Sequence, residues 1–120
     1  MHTISDIITD INRGCISNNM VEDRFSYRIV YFVNEGEKGT KHYTDTSYSN
    51  LRKALEGIIR NQLTLTNNIV IAETTALKNG KRVCLQKRSY VFSLDEYFRR
   101  LNGEMKDKSR KGNTWYCFNG

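Results

Sequence analysis

The sequence has no proline, only three cysteines, two histidines and one tryptophan among its 120 residues. The cysteines, Cys15, Cys84 and Cys117, are odd in number and far apart, and they show neither a C-x-x-C motif nor a Cys/His spacing typical of zinc sites. We therefore expect reduced thiols and no bound metal. Reduced thiols are typical of the cytoplasm, which we predict as the location, in the producing or host cell.

Long apolar runs and linker sequences are also absent. No stretch approaches the ~18 apolar residues of a membrane-spanning helix, and the N-terminus has no secretory signal. We predict no membrane contact and a single domain over residues 1–120, because this length suits one hydrophobic core and there is no Pro/Gly/Ser linker. Within it, residues 104–113 are predicted to be a flexible basic segment. Frequent Asn, Ile, Lys and Thr suit an AT-rich genome and favour a viral, phage or bacterial source.

Positive charge is concentrated in the second half of the chain. The formal net charge is +6, yet residues 1–60 contain eight basic and eight acidic side chains, whereas residues 61–120 contain eleven basic and five acidic ones. Such an asymmetry favours a polyanion or an acidic protein as partner. The alternative is a basic surface that is merely solvated.

Hydrophobic periodicity predicts helices and hairpins in alternation. A capping-box pattern from Thr3 to Asp6 begins a helix that carries isoleucines at helical spacing and ends at Gly14. Alternation over 25–33 and a polar segment over 40–44 predict a hairpin whose second strand lies at a sheet edge. A second helix follows, with an amphipathic pattern up to Gln62 and three candidate N-caps: Asp45, Thr46 and Ser47.

A third helix is predicted from Ser93 as N-cap, with Glu96 three residues later and Gly103 as the stop signal. The aromatic residues of 114–118 predict a last short strand or an anchor on the body of the protein. The fold class is therefore α+β: a single compact domain with an antiparallel sheet from two β-hairpins and three helices, in the order α-β-β-α-β-β-α with a short C-terminal strand.

Residues 68–92 predict the second hairpin. Asn79-Gly80 favours a type I′ turn between segments rich in β-branched and aromatic residues. A two-residue turn sets a register of four facing pairs: Lys78 and Lys81, Leu77 and Arg82, Ala76 and Val83, Thr74 and Leu85. Without an irregularity, Tyr90 and Phe92 fall on the polar face of the hairpin. This indicates a bulge near 86–88 that resets the alternation and turns both rings to the other face.

Catalytic groups are few. A compact ribonuclease could be built on His42 with Lys41, Tyr43 and Asp45, since RNA cleavage needs a proton donor, an acceptor and a cation. Successive strand residues point to opposite faces, however, so His42 is separated from the other three. No phosphate-binding glycine loop precedes a helix. We therefore predict a protein that is not an enzyme and has no cofactor.

The leading hypothesis is a non-catalytic module that binds RNA or DNA through basic residues, with aromatic side chains adding base stacking. The alternative is a phage- or mobile-element-encoded inhibitor or adaptor that binds a nucleic-acid-handling host protein. Oligomeric state is left open. The predicted binding residues come from the hairpin, the last helix, the tail and two aromatic neighbours: Lys78, Lys81, Arg82, Lys87, Arg88, Arg99, Arg100, Lys106, Lys108, Arg110, Lys111, Tyr90 and Trp115.

Overall fold

A computed structural model describes residues 3–34, 39–95 and 98 of the chain. Within these ranges an antiparallel sheet of five strands and two α-helices form an α+β fold, which confirms the predicted class. In chain order the elements are α1 (Ile4–Ser17), β1 (Ser26–Val33), β2 (Thr40–Thr46), a 3-10 turn (Tyr48–Asn50), α2 (Leu51–Leu63), β3 (Asn68–Lys78), β4 (Lys81–Gln86) and β5 (Tyr90–Ser93).

The strands are arranged in the order β2-β1-β3-β4, and β5 pairs with β3 beside β4. The predicted edge position of the polar strand is confirmed, because β2 pairs with β1 alone among the described strands. The hydrophobic core lies between the helices and one face of the sheet, and its fully buried members include Ile4, Ile7, Ile11, Tyr27, Ile29, Leu55, Ile59, Ile69, Ile71 and Tyr90.

Helix α1 begins at the predicted capping box. The Asp6 amide donates to Thr3 Oγ1 at 3.2 Å, and the Thr3 amide donates to Asp6 Oδ2 at 3.0 Å, so both exposed donors at the helix start are satisfied. The predicted end at Gly14 is wrong, since the helix continues to Ser17. A Cβ on Gly14 would lie 2.0 Å from the carbonyl oxygen of Leu85. Glycine is therefore required here for close packing of α1 on β4.

The start of α2 also differs from the prediction. Strand β2 continues through Asp45 and Thr46, which removes both as caps. Ser47 precedes the 3-10 turn instead and makes no side-chain capping hydrogen bond, and the helix itself begins at Leu51. The amphipathic pattern is confirmed nonetheless, with five residues buried: Leu51, Leu55, Ile58, Ile59 and Leu63.

The turn of the second hairpin has the predicted conformation. Asn79 has φ of 52° and Gly80 has φ of 77°, the left-handed values that a type I′ turn needs at both central positions. Three of the four predicted pairs are confirmed, up to Ala76 and Val83. The fourth is wrong, because Thr74 pairs with Gln86 and leaves Leu85 as an extra residue.

Two irregularities determine which residues face the core. The bulge at Leu85 lies directly before the predicted position and, like Gly14, belongs to the contact between β4 and α1. A second register shift, in the pairing of β1 with β3, leaves Ala72 unpaired and was not predicted. After it, Ile71 and Thr74 both face the helices, and β5 pairs Tyr90 with Ile71 on that same face.

The predicted third helix is not confirmed. Ser93 is the last residue of β5, and the residues described after it, Leu94, Asp95 and Phe98, have helical backbone, whereas the rest of 96–103 lies outside the described residues. The basic segment 104–113 and the aromatic segment 114–118 lie outside the described residues. Neither described helix is long and apolar enough to cross a membrane.

Candidate functional site

The sheet has one face packed on α1 and α2 and a second face that no described helix covers, which we call the open face. Directly opposite residues of an antiparallel pair point to the same side. The strand register therefore places the open-face residues in four rows: Ser26, Leu77 and Arg82; Asp45, Arg28, Thr75 and Cys84; Tyr43, Val30 and Glu73; Lys41, Phe32, Val70 and Val91.

An exposed aromatic ring lies on the β2 side of the open face. Tyr43 is 57% exposed, and the guanidinium carbon of Arg28 lies 3.9 Å from the centre of its ring. That distance is well within the range of a cation–π contact. The ring therefore presents one side to solvent while its other side is held by a cation.

Asp45 fixes the guanidinium in this position. Arg28 Nε donates to Asp45 Oδ1 at 2.8 Å and Arg28 Nη2 donates to Asp45 Oδ2 at 3.0 Å, a bidentate pair across β1 and β2. These hydrogen bonds lower the pKa of the Asp45 carboxyl, with further lowering by the charges of Arg28 and Arg82. Arg82, three strands away, is thus within electrostatic reach of the same cluster.

The rest of the open face combines apolar side chains with a few charges. Val91 is 48% exposed and Leu77 is 40% exposed, so the apolar part is accessible at both ends. Lys41 and Arg82 are exposed at opposite corners, and Glu73 is half-buried between them. The arrangement is a shallow surface with an aromatic ring, apolar neighbours and cations at its margins.

The predicted basic residues that the structure describes do not share one surface. Arg82 points to the open face, whereas its neighbours Lys78 and Lys81 pair with each other on the opposite side. Lys78 Nζ donates to the carbonyl oxygen of Asn18 at 2.8 Å, at the C-terminal end of α1, where a cation is favourable. Lys78 therefore has a structural role.

Arg88 and Tyr90 also belong to the helix side. Tyr90 is fully buried, and its hydroxyl donates to the carboxylate of Asp10 on α1. Arg88 lies 3.9 Å from that carboxylate, and its guanidinium carbon lies 5.3 Å from the centre of the Tyr90 ring. The predicted stacking role of Tyr90 is wrong, because its ring is part of the core.

The remaining predicted site residues are placed as follows. Lys87 is exposed in the segment between β4 and β5. Seven others lie outside the described residues: Arg99, Arg100, Lys106, Lys108, Arg110, Lys111 and Trp115.

His42 lies on the helix side of β2, apart from the residues of the ribonuclease hypothesis. Its ring stacks on Tyr31 with centroids 5.5 Å apart and planes at 20°. Lys41, Tyr43 and Asp45 point to the open face, so the predicted separation agrees with the alternation of the strand. Beside this stack is a cleft of about 240 Å³ between α2 and β2, lined by Tyr31, Thr44, Ala54, Gly57, Ile58, Asn61 and Gln62.

The binding residues predicted from the sequence do not include Arg28 and Tyr43. The alternation of 25–33 already places Arg28 on the other face of the strand from the buried Tyr27 and Ile29. Alternation in the polar strand 40–44 likewise places Tyr43 on the same face as Lys41. The missing step was the register between the two strands, which sets Arg28 beside Asp45. A turn of uncertain length cannot supply that register.

Among the residues that the structure describes, no three His, Cys, Asp or Glu side chains lie together in a way that could hold a metal ion. Comparison of the chain with protein-family models, with curated proteins and with solved structures finds no match.

Proposed function

We propose that the protein binds single-stranded nucleic acid, RNA or DNA, on the open face of its sheet. The observation that carries the proposal is the Tyr43 ring, exposed on one side and held on the other by the Arg28 guanidinium, which Asp45 fixes. Aromatic rings on a sheet surface bind unpaired bases by stacking, and every base has a π-face to offer. A base on Tyr43 would also benefit from the cation beneath the ring.

The size of the open face suits a few nucleotides. Four neighbouring strands span roughly 14 Å, since each inter-strand spacing is about 4.8 Å. Lys41 and Arg82 lie at opposite corners of this area and can each contact a phosphate of a strand that crosses it. Phe32 and the exposed Val91 offer apolar contact for a second base.

The charge of the face fits a ligand of this kind. Arg28, Lys41 and Arg82 are opposed by Asp45 and Glu73, and Arg28 is already paired with Asp45. Only two cations are therefore expected to neutralise phosphates. Binding should depend on stacking at least as much as on charge, with a salt slope of about −1.4, or about −0.7 for each phosphate on a single strand.

Fluorescence anisotropy with labelled single strands and duplexes at several salt concentrations tests the proposal. We expect single strands to bind more tightly than duplexes, and Tyr43→Ala to weaken binding by about 5- to 100-fold, the usual effect of losing one stacked base. Leu65→Ala is the control, because Leu65 is 81% exposed in the loop after α2, away from the open face. Equal effects of the two variants, or no binding at low salt, would refute the proposal.

The charge dependence has its own variants. Arg82→Ala should make the salt slope shallower by about 0.7, because one phosphate contact is lost. Arg13→Ala removes the same charge from α1, where the side chain is 78% exposed, and should leave the slope unchanged. A failure of the wild-type protein to bind any oligonucleotide would instead favour the inhibitor or adaptor hypothesis.

A further inference from the structure

The outer backbone edge of β2 takes no part in the proposed binding of nucleic acid. β2 pairs with β1 through all seven residues from Thr40 to Thr46, and no other described strand pairs with it. The backbone groups of an edge strand are able to pair with a further strand. Edge strands are usually protected by charges, and here two charges, Lys41 and Asp45, are placed symmetrically.

We propose that two copies of the chain form a dimer through antiparallel pairing of β2 with the partner's β2, centred on Tyr43. The sequence of the strand is self-complementary about that residue. In this register the partner's Asp45 lies opposite Lys41, the partner's Thr44 lies opposite His42, and the two Tyr43 residues face each other. Both ion pairs form at once, because the two-fold axis repeats each contact.

Other registers lack this complementarity. If the two-fold axis lies at His42, Lys41 is opposite the partner's Tyr43. If it lies at Thr44, Asp45 is opposite the partner's Tyr43. A slip by one residue would pair an open-face residue of one copy with a helix-side residue of the other. The open face of one copy would then lie on the same side of the joined sheet as the helices of the other. Cross-strand pairs of opposite charge each favour their own register, so the two charges select the centre at Tyr43.

Asp45 can serve both its own chain and the partner. Arg28 donates one hydrogen bond to each of its oxygens, and a carboxylate has about four acceptor sites. The side chain of Asp45 is 46% exposed and Lys41 is exposed, so both can reach across the edge. The existing pair with Arg28 also holds the carboxylate in place for the incoming ammonium.

The two-fold axis is perpendicular to the sheet, so the open faces of the two copies lie on the same side and join into one surface. The two Tyr43 rings then lie side by side at its centre. Contact along one strand edge is small compared with the 1,200–2,000 Å² typical of stable interfaces, so we expect a dissociation constant of about 10–100 µM.

Sedimentation velocity without nucleic acid tests the dimer separately from the proposed function. The wild-type mass should rise from 14.0 kDa towards twice that value as the concentration increases from about 5 µM to about 500 µM, a range around the expected dissociation constant. A wild-type protein that stays monomeric over this range would overturn the proposal, whatever its affinity for oligonucleotides.

Charge reversal tests the register. Lys41→Glu places two acidic side chains opposite each other twice and should weaken the dimer at least tenfold, whereas Lys53→Glu on the exposed side of α2 makes the same charge change and should not. Lys41→Glu leaves the pair of Arg28 and Asp45 intact. An unchanged dissociation constant of the Lys41→Glu dimer is therefore sufficient to exclude the register.

A mixing experiment completes the test. Asp45→Lys should also weaken the dimer at least tenfold, because two lysines then meet at each contact. An equimolar mixture of Lys41→Glu and Asp45→Lys chains restores opposite charges at both contacts and should associate at least tenfold more tightly than either variant alone. Failure of the folded variants to associate on mixing would overturn the proposed pairing.

Discussion

Replacement of Gly14 by alanine tests how closely α1 packs on the sheet. The added Cβ would lie 2.0 Å from the Leu85 carbonyl oxygen and 2.6 Å from its carbonyl carbon and Cα. All three are backbone atoms of β4, so a side-chain rotation cannot remove the overlap. The helix must instead move away by more than about 1 Å to restore ordinary van der Waals contact, and the buried contacts of Ile11 and Cys15 with the core would loosen.

The magnitude follows from two opposing effects. Alanine is intrinsically favoured over glycine inside a helix by about 0.8–1 kcal/mol. Overpacking of a well-packed core costs about 1–3 kcal/mol, and a fixed backbone partner favours the upper end of that range. We therefore expect Gly14→Ala to lower the free energy of unfolding by about 1–2 kcal/mol.

Gly57→Ala is the matched control, because nothing lies within 4 Å of the Cβ position in the middle of α2. This variant should raise the free energy of unfolding by about 0.5–1 kcal/mol, through helix propensity alone. Urea titrations followed by circular dichroism measure both. Stabilisation of similar size by Gly14→Ala would refute the close packing of α1 on β4.

Three further results are expected from equilibrium unfolding. Tyr27→Phe should cost about 1–2 kcal/mol, because its buried hydroxyl donates to the carbonyl of Met20. Burial raises the pKa of Cys15 from 9.0 to about 11, so stability should fall as pH rises through this interval, and in Cys15→Ala that component should be missing. Arg28 lowers the pKa of the Asp45 carboxyl, so the ion pair stabilises the fold above the ordinary carboxyl pKa and this stability is lost as pH falls through the lowered pKa. Asp45→Asn should therefore reduce the fall in the free energy of unfolding at acid pH, and an unchanged fall would contradict the pairing.

Local signals in the sequence predicted the local structure well. The capping box at Thr3, the isoleucine stripe of α1 and the left-handed turn at Asn79 and Gly80 each depend on neighbouring residues only. Gly14 shows the limit of such signals. A glycine near the end of an apolar pattern is typical of a helix stop, and only the contact with Leu85, distant in sequence, reveals its use for packing.

The candidate site could be predicted only in part, because the facing of its residues on β3, β4 and β5 depends on two bulges. Leu85 and Ala72 each add one residue to a strand, and each addition reverses the facing of the residues beyond it. Tyr90 was predicted as a binding residue from its position next to the basic residues in the sequence, although a bulge that would turn its ring was expected, and it belongs to the core. Charge counting favoured the second half of the chain, whereas the Arg28 and Tyr43 pair lies in its electrically neutral first half.

Photo-cross-linking of a single-stranded oligonucleotide, followed by mass spectrometry of the linked peptides, tests the central claim most directly. If the open face is the binding surface, cross-links should occur at Tyr43 and Phe32, which share that face on neighbouring strands. Cross-links confined to Lys81 on the helix side of the hairpin or to Lys87 between β4 and β5, together with none at Tyr43, would contradict the account.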